Sequence, residues 1–428
     1  MDRRALIITY YFPPLGGGGV QRMAKLVKYA SRLGWHFTVI TADEPTHIIP
    51  TDPTLNEDIP DSVRVRRIPF PGWPGAKRGF SALTQTAGFF KRYISAWLYV
   101  PDSRKKWLEK AWPRIRHELQ SEKYDVVLIS IPPYSLSFLA QAIKKEFTLP
   151  VILDLRDPWS MNPYKIYPTP LHRIWDRRTE RRIIANISYG ISAYRRLLDY
   201  YGKTVPGFKA DFWQVIPNGF DRDDFEELGP VEMEKKATFD IAFSGTVYSH
   251  INHPTPLFKA MARLRREHSV PTDRLRFVFV GKAHIDLKKL AGKFALQDQL
   301  SVRPYLPHRQ SLRVLQRADV LCVILDDRDP RSAYTVGGKV YEYLALKKPI
   351  LALVPPDGEA ADLIRATASG IVVSPQNIGG IAQVLKRLMQ DDGPPLTFNG
   401  IEEFDRQRQA QAFIRFFEKV VASAASSR

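Results

Sequence analysis

The chain has 428 residues, of which 44% are hydrophobic and 25% charged, and this balance excludes a largely disordered protein and leaves room for two domains. The net charge is +18 and falls mainly in residues 1–208, which hold 32 basic and 18 acidic residues, so an anionic partner such as nucleic acid, acidic lipid or a phosphorylated substrate is expected. A single cysteine, Cys322, excludes a disulfide framework and suits a reducing cytosol, and no apolar run reaches the roughly 20 residues that cross a bilayer.

Apolar strand-like segments alternate with segments of helical period, and this alternation predicts an α/β fold with mainly parallel sheets. In the first half the predicted strands are 5–10, 37–41, 63–68, 126–131, 151–155 and 187–191. In the second half they are 241–244, 276–280, 300–304, 320–325, 350–354 and 370–373. Helices are predicted at 20–33, 255–266, 310–317 and 339–346, and an isolated helix at 401–421 precedes a tail, 422–428, that we expect to fray.

The two halves repeat one pattern, so we predict two Rossmann-like domains, residues 1–208 and residues 209–400. The most polar connector is 221–236, and the join is expected within 206–236. In the first helix an apolar stripe at helical spacing is expected to face the core, and it consists of Met23, Val27, Ala30 and Leu33.

A run of four glycines follows the first predicted strand. Gly16 and Gly18 fit the dinucleotide fingerprint G-x-G-x-x-G, but its last position falls on Gln21, which disfavours a nicotinamide site. Backbone amides in such a run, at Gly17 and Gly18 in particular, can approach a phosphate group of a ligand closely. A plain flexible turn is the alternative.

The most informative stretch is GGKVYEYLALKKPILALVPPDGE, residues 337–359. Gly337, Gly338 and Lys339 stand at a predicted helix start, where free amides and a lysine attract phosphate. Glu342 follows within one turn and can accept hydrogen bonds from ribose hydroxyls. These are the parts of a sugar-nucleotide pocket, and the alternative is an ordinary exposed helix start. Glu359, at the next helix start, is a weaker candidate.

The segment DLRDPW places Asp154, Arg156 and Asp157 at the carboxyl end of a predicted strand, where open α/β sheets bind ligands. Asp157 can orient or deprotonate an acceptor hydroxyl, and Arg156 can hold an acceptor phosphate with two hydrogen bonds. Asp154 completes the predicted acceptor site. The alternative is a network that only fixes the loop.

We expect neither a metal nor a cofactor. The nine histidines show no metal-ligand spacing, and His250 and His253 read as solvated loop residues, although one of them could line the donor pocket. The D-x-D pattern at 327–329 reads more simply as a turn. Lysine and helix amides would then stabilise the leaving diphosphate.

Aromatic and basic residues interleave between residues 80 and 112, and this composition favours peripheral binding to an anionic membrane. The apolar positions at helical spacing are Phe80, Leu83, Ala87, Phe90, Ile94 and Trp97, and the aromatic residues Tyr99, Trp107 and Trp112 follow. A second basic run places Arg173, Arg177 and Arg181 on one helix face. The alternative is a core helix with solvated charges. Nucleic acid is disfavoured because no nucleic-acid motif accompanies the charge.

Motifs along nearly the whole chain resemble family 4 of the glycosyltransferases, the retaining group with the GT-B fold. They are YFPPLGGGGVQR at 11–22, PDSRKKW at 101–107, DLRDPW at 154–159, IPNGFD at 216–221, FSGTVY at 243–248, FVGK at 279–282 and KVYEYLALKKPILA at 339–352. The resemblance implies two Rossmann-like domains that face each other across a cleft. It also implies that the last helix, 401–424, crosses back to the first domain.

The same resemblance implies that the second domain binds the nucleotide sugar, with Gly245 of FSGTVY beside the donor, and that the first domain binds the acceptor. The family commonly has a glutamate pair, E-x7-E; Glu342 fits the later position, but Tyr334 occupies the earlier one. Lys339 fits a subgroup with K-x-x-E. This departure leaves the donor sugar open.

The sequence therefore predicts a cytoplasmic hexosyltransferase of class EC 2.4, peripheral on the inner face of the membrane. It would transfer a sugar from a nucleoside-diphosphate donor to a lipid-linked or polysaccharide acceptor in cell-envelope glycan synthesis. In this reading Asp157 and Lys339 are the catalytic residues, the anomeric configuration is retained, and no metal is required. The alternatives are a nucleotide-sugar epimerase of the same fold and a non-catalytic binding homologue.

Overall fold

The computed structural model describes residues 3–43, 51–70, 97–226, 228–229, 236–267 and 274–426. The chain forms two compact units. Unit 1 comprises Met1–Asn218 and Arg406–Arg428, and unit 2 comprises Gly219–Asp405. Within the described ranges every helix is too short or too polar to span a membrane.

Unit 1 is built on a parallel sheet of seven strands in the order β3-β2-β1-β4-β5-β6-β7. The strands are β1 (Arg3–Thr9), β2 (Trp35–Asp43), β3 (Arg64–Pro69), β4 (Val126–Ile131), β5 (Val151–Leu155), β6 (Tyr189–Ser192) and β7 (Trp213–Val215). The helices described in this unit are α1 (Gly18–Ser31), α2 (Lys105–Ser121), α3 (Phe138–Glu146), α4 (Pro170–Ala185) and α5 (Arg195–Thr204), joined by the C-terminal helix described below.

Unit 2 has a second parallel sheet, of six strands in the order β10-β9-β8-β11-β12-β13. The strands are β8 (Phe239–Val247), β9 (Leu275–Ala283), β10 (Leu300–Arg303), β11 (Val320–Ile324), β12 (Ile350–Leu353) and β13 (Gly370–Val373). Its helices are α6 (Asp223–Glu226), α7 (Thr255–Glu267), α8 (Leu287–Gly292), α9 (His308–Gln316), α10 (Lys339–Leu346), α11 (Glu359–Ala366) and α12 (Ile378–Met389). The prediction of two parallel α/β domains is confirmed.

The C-terminal helix α13 (Arg406–Ser426) belongs to unit 1, as the resemblance implied. Its Phe413 and Phe417 are buried in one cluster with Val27 of α1 and Leu128 of β4. Two details of the prediction are wrong. Residues Ile401–Phe404 form a separate 3₁₀ turn ahead of the helix, and the segment expected to fray is helical as far as Ser426.

The units divide after Asn218 and after Asp405. The first point lies within the predicted join at 206–236, ten residues beyond the predicted boundary at 208, and the second lies five residues beyond the predicted boundary at 400. The physical reason lies in the backbone of the connector. Arg22 donates to the Pro217 carbonyl at 2.8 Å, and Gln409 donates to the Asn218 carbonyl at 3.0 Å. These bonds attach the segment after β7 to unit 1.

Several predicted side-chain positions need correction. Leu33 lies beyond the end of α1 and is 47% exposed, so the apolar stripe ends at Ala30. Trp107 is fully buried and donates to the Ile68 carbonyl at 3.1 Å, which removes it from any membrane surface. Arg173, Arg177 and Arg181, predicted on one helix face, are all half-buried in α4. The apolar positions predicted between residues 80 and 94 lie outside the described residues.

Candidate functional site

Both sheets have a topological switch point, at which the strand order reverses. In unit 1 it lies between β1 and β4, and in unit 2 between β8 and β11. Open parallel sheets bind ligands outside the carboxyl ends of the strands at such points. The predicted site residues lie at or after the carboxyl ends of β1, β5, β8 and β11, so each group lies near this edge of its own sheet.

In unit 2, Glu342 of α10 is the centre of a buried charge network. Lys339 Nζ lies 3.0 Å from both carboxylate oxygens of Glu342, and His308 Nε2 lies 3.1 Å from Oε1. The other ring nitrogen of His308 is 3.7 Å from Asp224 Oδ2. The sequence predicted Lys339 and Glu342 together, and the structure brings them together because they are three residues apart on one helix.

This network fixes the protonation state of Glu342. Burial alone would raise the pKa of its carboxyl, but Lys339 and His308 outweigh burial and lower the pKa to about 2. An ionised carboxylate can only accept hydrogen bonds, so His308 Nε2 is the donor. Three donor contacts use most of the roughly four acceptor positions of a carboxylate and leave room for one more donor.

The start of α10 is built from glycines. Gly337 has φ +86°, a left-handed conformation that side chains rarely adopt, and Gly338 is the N-cap. Neither a Cβ at Gly337 nor one at Gly338 would meet another atom within 4 Å, so the backbone here is open. Lys339 is the first residue of the helix, and its side chain is 36% exposed. An open helix start beside a lysine can hold an anion.

The ends of β8 and β9 approach each other where only glycine fits. A Cβ on Gly281 would lie 2.0 Å from the Gly245 carbonyl oxygen, and both residues have φ near +140° (+137° and +140°). Just before this point, the Ser244 amide donates to the Tyr343 hydroxyl at 3.0 Å. This bond fixes α10, and therefore Glu342, against the end of β8.

In unit 1, Asp154 is held by a fully buried ion pair. Arg22 Nη2 lies 2.8 Å from Asp154 Oδ1, Ser130 Oγ donates to Oδ2 at 2.8 Å, and neither charged side chain has exposed surface. Arg22 also donates to the carbonyls of Ile216 and Pro217, at 2.9 and 2.8 Å. The Asp154 carboxylate is thus fully engaged, and its partner Arg22 comes from α1, 132 positions away in the chain.

Arg156 links the predicted acceptor loop to the glycine run. Its guanidinium donates to the Gly19 carbonyl at 3.3 Å and to the Pro132 carbonyl, and a Cβ on Gly19 would lie 2.9 Å from its Nε. Its Nε has no hydrogen-bond partner within the described structure. Burial lowers the pKa of Arg156 although Asp157 and Asp154 act in the opposite direction.

Asp157 is the half-buried carboxylate of this loop. Burial raises its pKa to about 6, against the opposing effects of Arg156 and Arg22. A carboxylate with such a pKa is ionised at neutral pH and can still accept a proton readily. That property suits a base that assists an acceptor hydroxyl.

Among the described residues no group of three or more His, Cys, Asp or Glu side chains could hold a metal ion. The predicted turn at 327–329 is present: Asp327 accepts from Ser374 and Gln376, and Asp329 caps a 3₁₀ turn. His253 accepts from Thr255 two residues away, and burial lowers its pKa.

Two sequence profiles match consecutive parts of the chain. The profile described as "Glycosyl transferase 4-like domain" matches residues 17–219, and the one described as "Glycosyl transferases group 1" matches residues 238–391. The chain belongs to the family 4-like glycosyltransferases. It is accordingly an enzyme of the hexosyltransferase class, as the sequence predicted.

Solved structures share the GT-B fold of this glycosyltransferase. One is sucrose-phosphate synthase from Thermosynechococcus elongatus, with a TM-score of 0.67 and 15% identity over 98% of this chain and 100% of that chain. Another is WaaG, a glycosyltransferase involved in lipopolysaccharide biosynthesis, with a TM-score of 0.58 and 13% identity over 97% and 98% of the two chains. A third is an E. coli trehalose-6-phosphate protein bound with UDP-2-fluoro glucose, with a TM-score of 0.57 and 12% identity over 99% and 98%. No curated protein gives a significant sequence match.

Sequence reasoning missed three residues of the candidate site: His308, Asp224 and Arg22. His308 contacts Glu342 from 34 positions away and Arg22 contacts Asp154 from 132 positions away, whereas Asp224 faces His308 and not a predicted residue. The Pro307-His308 pair at the start of α9 was the only local signal for His308. A polar residue at a helix start does not say which element it will meet.

Proposed function

We propose that this glycosyltransferase moves a hexose from a nucleoside-diphosphate sugar to a hydroxyl of a lipid-linked or polysaccharide acceptor in cell-envelope glycan synthesis. The enzyme would work in the cytoplasm, peripheral on the inner face of the membrane, with retention of configuration and without a required metal or cofactor. The observation that carries the proposal is the Lys339–Glu342–His308 network at the glycine-rich start of α10.

The donor would bind at this helix start. Glu342, which Lys339 and His308 keep ionised, would accept a hydrogen bond from a ribose hydroxyl at its one remaining acceptor position. The amides of Gly337 and Gly338 and the ammonium of Lys339 would bind the diphosphate. Gly245 of the same unit would provide further close backbone approach. The neighbour bound with UDP-2-fluoro glucose supports a nucleotide-sugar donor for this fold.

The proposed reaction depends on stabilising the negative charge of the leaving diphosphate. As the bond between the anomeric carbon and the diphosphate oxygen breaks, negative charge develops on the diphosphate, and Lys339 with the helix amides would stabilise it. The acceptor hydroxyl would attack the same face of the sugar. Its proton would pass to the departing phosphate oxygen or to Asp157, whose pKa of about 6 suits that transfer.

The acceptor would bind in unit 1, with Arg156 holding an anionic group of the acceptor through its guanidinium. Asp154 would support this site through Arg22 and would not touch the acceptor, because its carboxylate is enclosed. The involvement of WaaG in lipopolysaccharide biosynthesis supports an envelope glycan as the acceptor.

The test is a panel of nucleotide sugars, each incubated with and without glycan acceptors, with nucleotide release and thermal shift measured together. Release that depends on acceptor, with the sugar recovered on the acceptor in its original anomeric configuration, is expected. It should persist in excess chelator. Isomerised sugar in the absence of acceptor would show an epimerase, and a thermal shift with no turnover under any condition would show a binding protein.

A further inference from the structure

The outward face of α4 begins with large apolar side chains. Leu171 is 74% exposed, Ile174 45% and Trp175 62%. These positions are three and four residues apart, so they share one face of the helix. Three such side chains in one helical turn form a patch that water solvates poorly.

The same face continues with arginines. Arg178 and Arg182 are exposed, and they follow Leu171 by seven and eleven residues, which is the spacing of one helical stripe. The two acidic residues of α4, Asp176 and Glu180, are fully buried on the opposite side. The outward face therefore combines an apolar end with a purely cationic continuation.

A second segment extends the apolar end. Trp97 is 50% exposed and Leu98 64%. The ring of Trp97 packs edge-to-face on His172 with centroids 5.0 Å apart, and His172 Nε2 lies 3.3 Å from the Trp97 carbonyl oxygen. The patch thus draws on two separate parts of unit 1.

We propose that this surface, defined by Trp97, Leu98, Leu171, Ile174, Trp175, Arg178 and Arg182 and here termed the α4 face, docks unit 1 on an anionic lipid bilayer. The apolar end would enter the boundary between headgroups and acyl chains, and the two arginines would bind lipid phosphates. Charge complementarity favours this partner, because the α4 face carries cations and no carboxylate. If nucleic acid bound the α4 face instead, the side chains of Leu171 and Ile174 would have no apolar surface to contact.

The α4 face is joined to the predicted acceptor loop through the helix itself. On the inner side of α4, Asp176 accepts from Trp159 Nε1 at 3.0 Å and from Lys165 Nζ at 2.6 Å. Trp159 lies two residues after Asp157 in the DLRDPW segment. A bilayer on the outer side would place membrane-anchored acceptors close to this loop, which deepens the proposed function by naming the surface that meets the lipid.

The experiment measures sedimentation of the full chain with vesicles of phosphatidylcholine alone and of phosphatidylcholine with phosphatidylglycerol. Wild type is compared with L171S/W175S and with R178Q/R182Q. Each replaces exposed side chains, and circular dichroism with a thermal melt checks folding. We expect wild type to bind anionic vesicles only. R178Q/R182Q should weaken this binding about 25-fold, because each arginine contributes about fivefold to the affinity. For L171S/W175S we expect at least about a tenfold loss.

Matched controls lie elsewhere on the chain. Leu33 is 47% exposed, and L33S makes the same change as L171S away from the α4 face. K288Q/K289Q removes two exposed charges from α8 in unit 2. Both controls should bind anionic vesicles like wild type. Brominated lipid should quench the fluorescence of wild type more than that of W175F, which retains a ring without the indole.

Equal binding to neutral and anionic vesicles, or wild-type binding by both α4 variants, overturns the proposal. So does self-association that L171S/W175S abolishes in the absence of vesicle binding, which would assign the face to a second copy. The same holds for single-stranded RNA binding that R178Q/R182Q abolishes without any vesicle binding. Because the readout is lipid binding, the docking surface and the transfer reaction can each fail while the other stands.

Discussion

His308 Nε2 donates to Glu342 Oε1 across 3.1 Å, and this contact joins the start of α9 to the first turns of α10. The other nitrogen of the ring faces Asp224, 3.7 Å away, in the segment where unit 2 begins. The carboxylate that we propose as the ribose ligand is therefore oriented by a residue from a different helix. A donor site held in this way depends on His308 although His308 need not touch the donor.

We expect H308A to weaken nucleoside-diphosphate binding by roughly 10- to 100-fold, since a hydrogen bond to a charged group contributes about 1.5–3 kcal/mol. H308Q, which can donate from its side-chain amide, should recover part of this loss. Isothermal titration with a nucleoside diphosphate measures both variants. H253A is the matched control, because His253 bonds locally to Thr255, two residues away, and it should bind like wild type. Equal affinities for H308A and wild type would contradict the positioning role.

Lys339 is expected to recognise the diphosphate more than the nucleoside. K339M retains the length of the side chain and removes the charge, so it should weaken nucleoside-diphosphate binding by about tenfold or more and nucleoside binding much less. The comparison of the two ligands separates loss of phosphate contact from general disturbance of the site. K288M, which removes an exposed charge from α8, serves as the control. A uniform loss for both ligands would show that Lys339 acts only through Glu342.

The buried pair Arg22–Asp154 should matter for stability far more than its exposed counterparts. D154N leaves the Arg22 guanidinium buried beside a neutral group, which costs about 3–5 kcal/mol. Loss of the half-exposed Arg3–Asp125 bridge in R3Q should cost at most about 1 kcal/mol. Chemical denaturation measures both, with the transition of unit 1 followed separately if the two units unfold apart. A small effect of D154N would show that water reaches the pair.

Much of the fold could be predicted because buried parallel strands appear as short apolar runs. Residues 126–131, 151–155 and 370–373 were predicted with the bounds that the structure shows. The strand Trp213–Val215 was missed because three residues carry no period that distinguishes a strand from a loop. Propensity alone also misplaced the start of the last helix, where Ile401–Phe404 has helical composition but forms a 3₁₀ turn.

In the candidate site, contacts within one helix turn could be predicted from the sequence, and contacts between separate elements could not. Lys339 and Glu342 were predicted together because their contact is local to one helix turn. The partners His308 and Arg22 come from other elements, and their positions depend on how helices pack on the sheet. The burial of Trp107 was equally hidden, since an aromatic residue at helical spacing has the same pattern in a core as on a membrane surface.

A substitution at Gly281 tests the close approach of β8 and β9 at the carboxyl edge of the sheet in unit 2. G281A places a Cβ 2.0 Å from the Gly245 carbonyl oxygen at φ +137°, so the ends of β8 and β9 must separate. We expect a loss of several kcal/mol in the free energy of unfolding, in the range of about 2–5 kcal/mol. G202A in α5 meets no atom within 4 Å and should instead gain about 0.5–1 kcal/mol. Similar unfolding curves for G281A and wild type would contradict the close approach.

The ionised form of Asp157, which the proposed reaction needs, should make the folded protein less stable. Burial raises its pKa from 3.8 to about 6 in the folded protein, so between about pH 4 and pH 6 the folded chain retains a proton that the unfolded chain releases. Stability therefore falls as pH rises through this window, by at most about 3 kcal/mol, and stays at the lower value above it. D157N cannot ionise, so it should remove this part of the pH dependence and be more stable than wild type at pH 8.

Transfer activity should rise with pH over the same window in which stability falls. If Asp157 accepts the proton of the acceptor hydroxyl, kcat of wild type falls below about pH 6 as the carboxylate becomes protonated, and D157N loses that limb together with about 100-fold or more of kcat. E180Q is the comparison, because burial raises the pKa of Glu180 to about 7. This carboxylate accepts from the Ser160 amide, three residues after Asp157, but has no part in the proposed proton transfer. E180Q should alter the pH dependence of stability and leave the acid limb of kcat in place. An acid limb that survives in D157N would assign the proton to the departing phosphate oxygen instead.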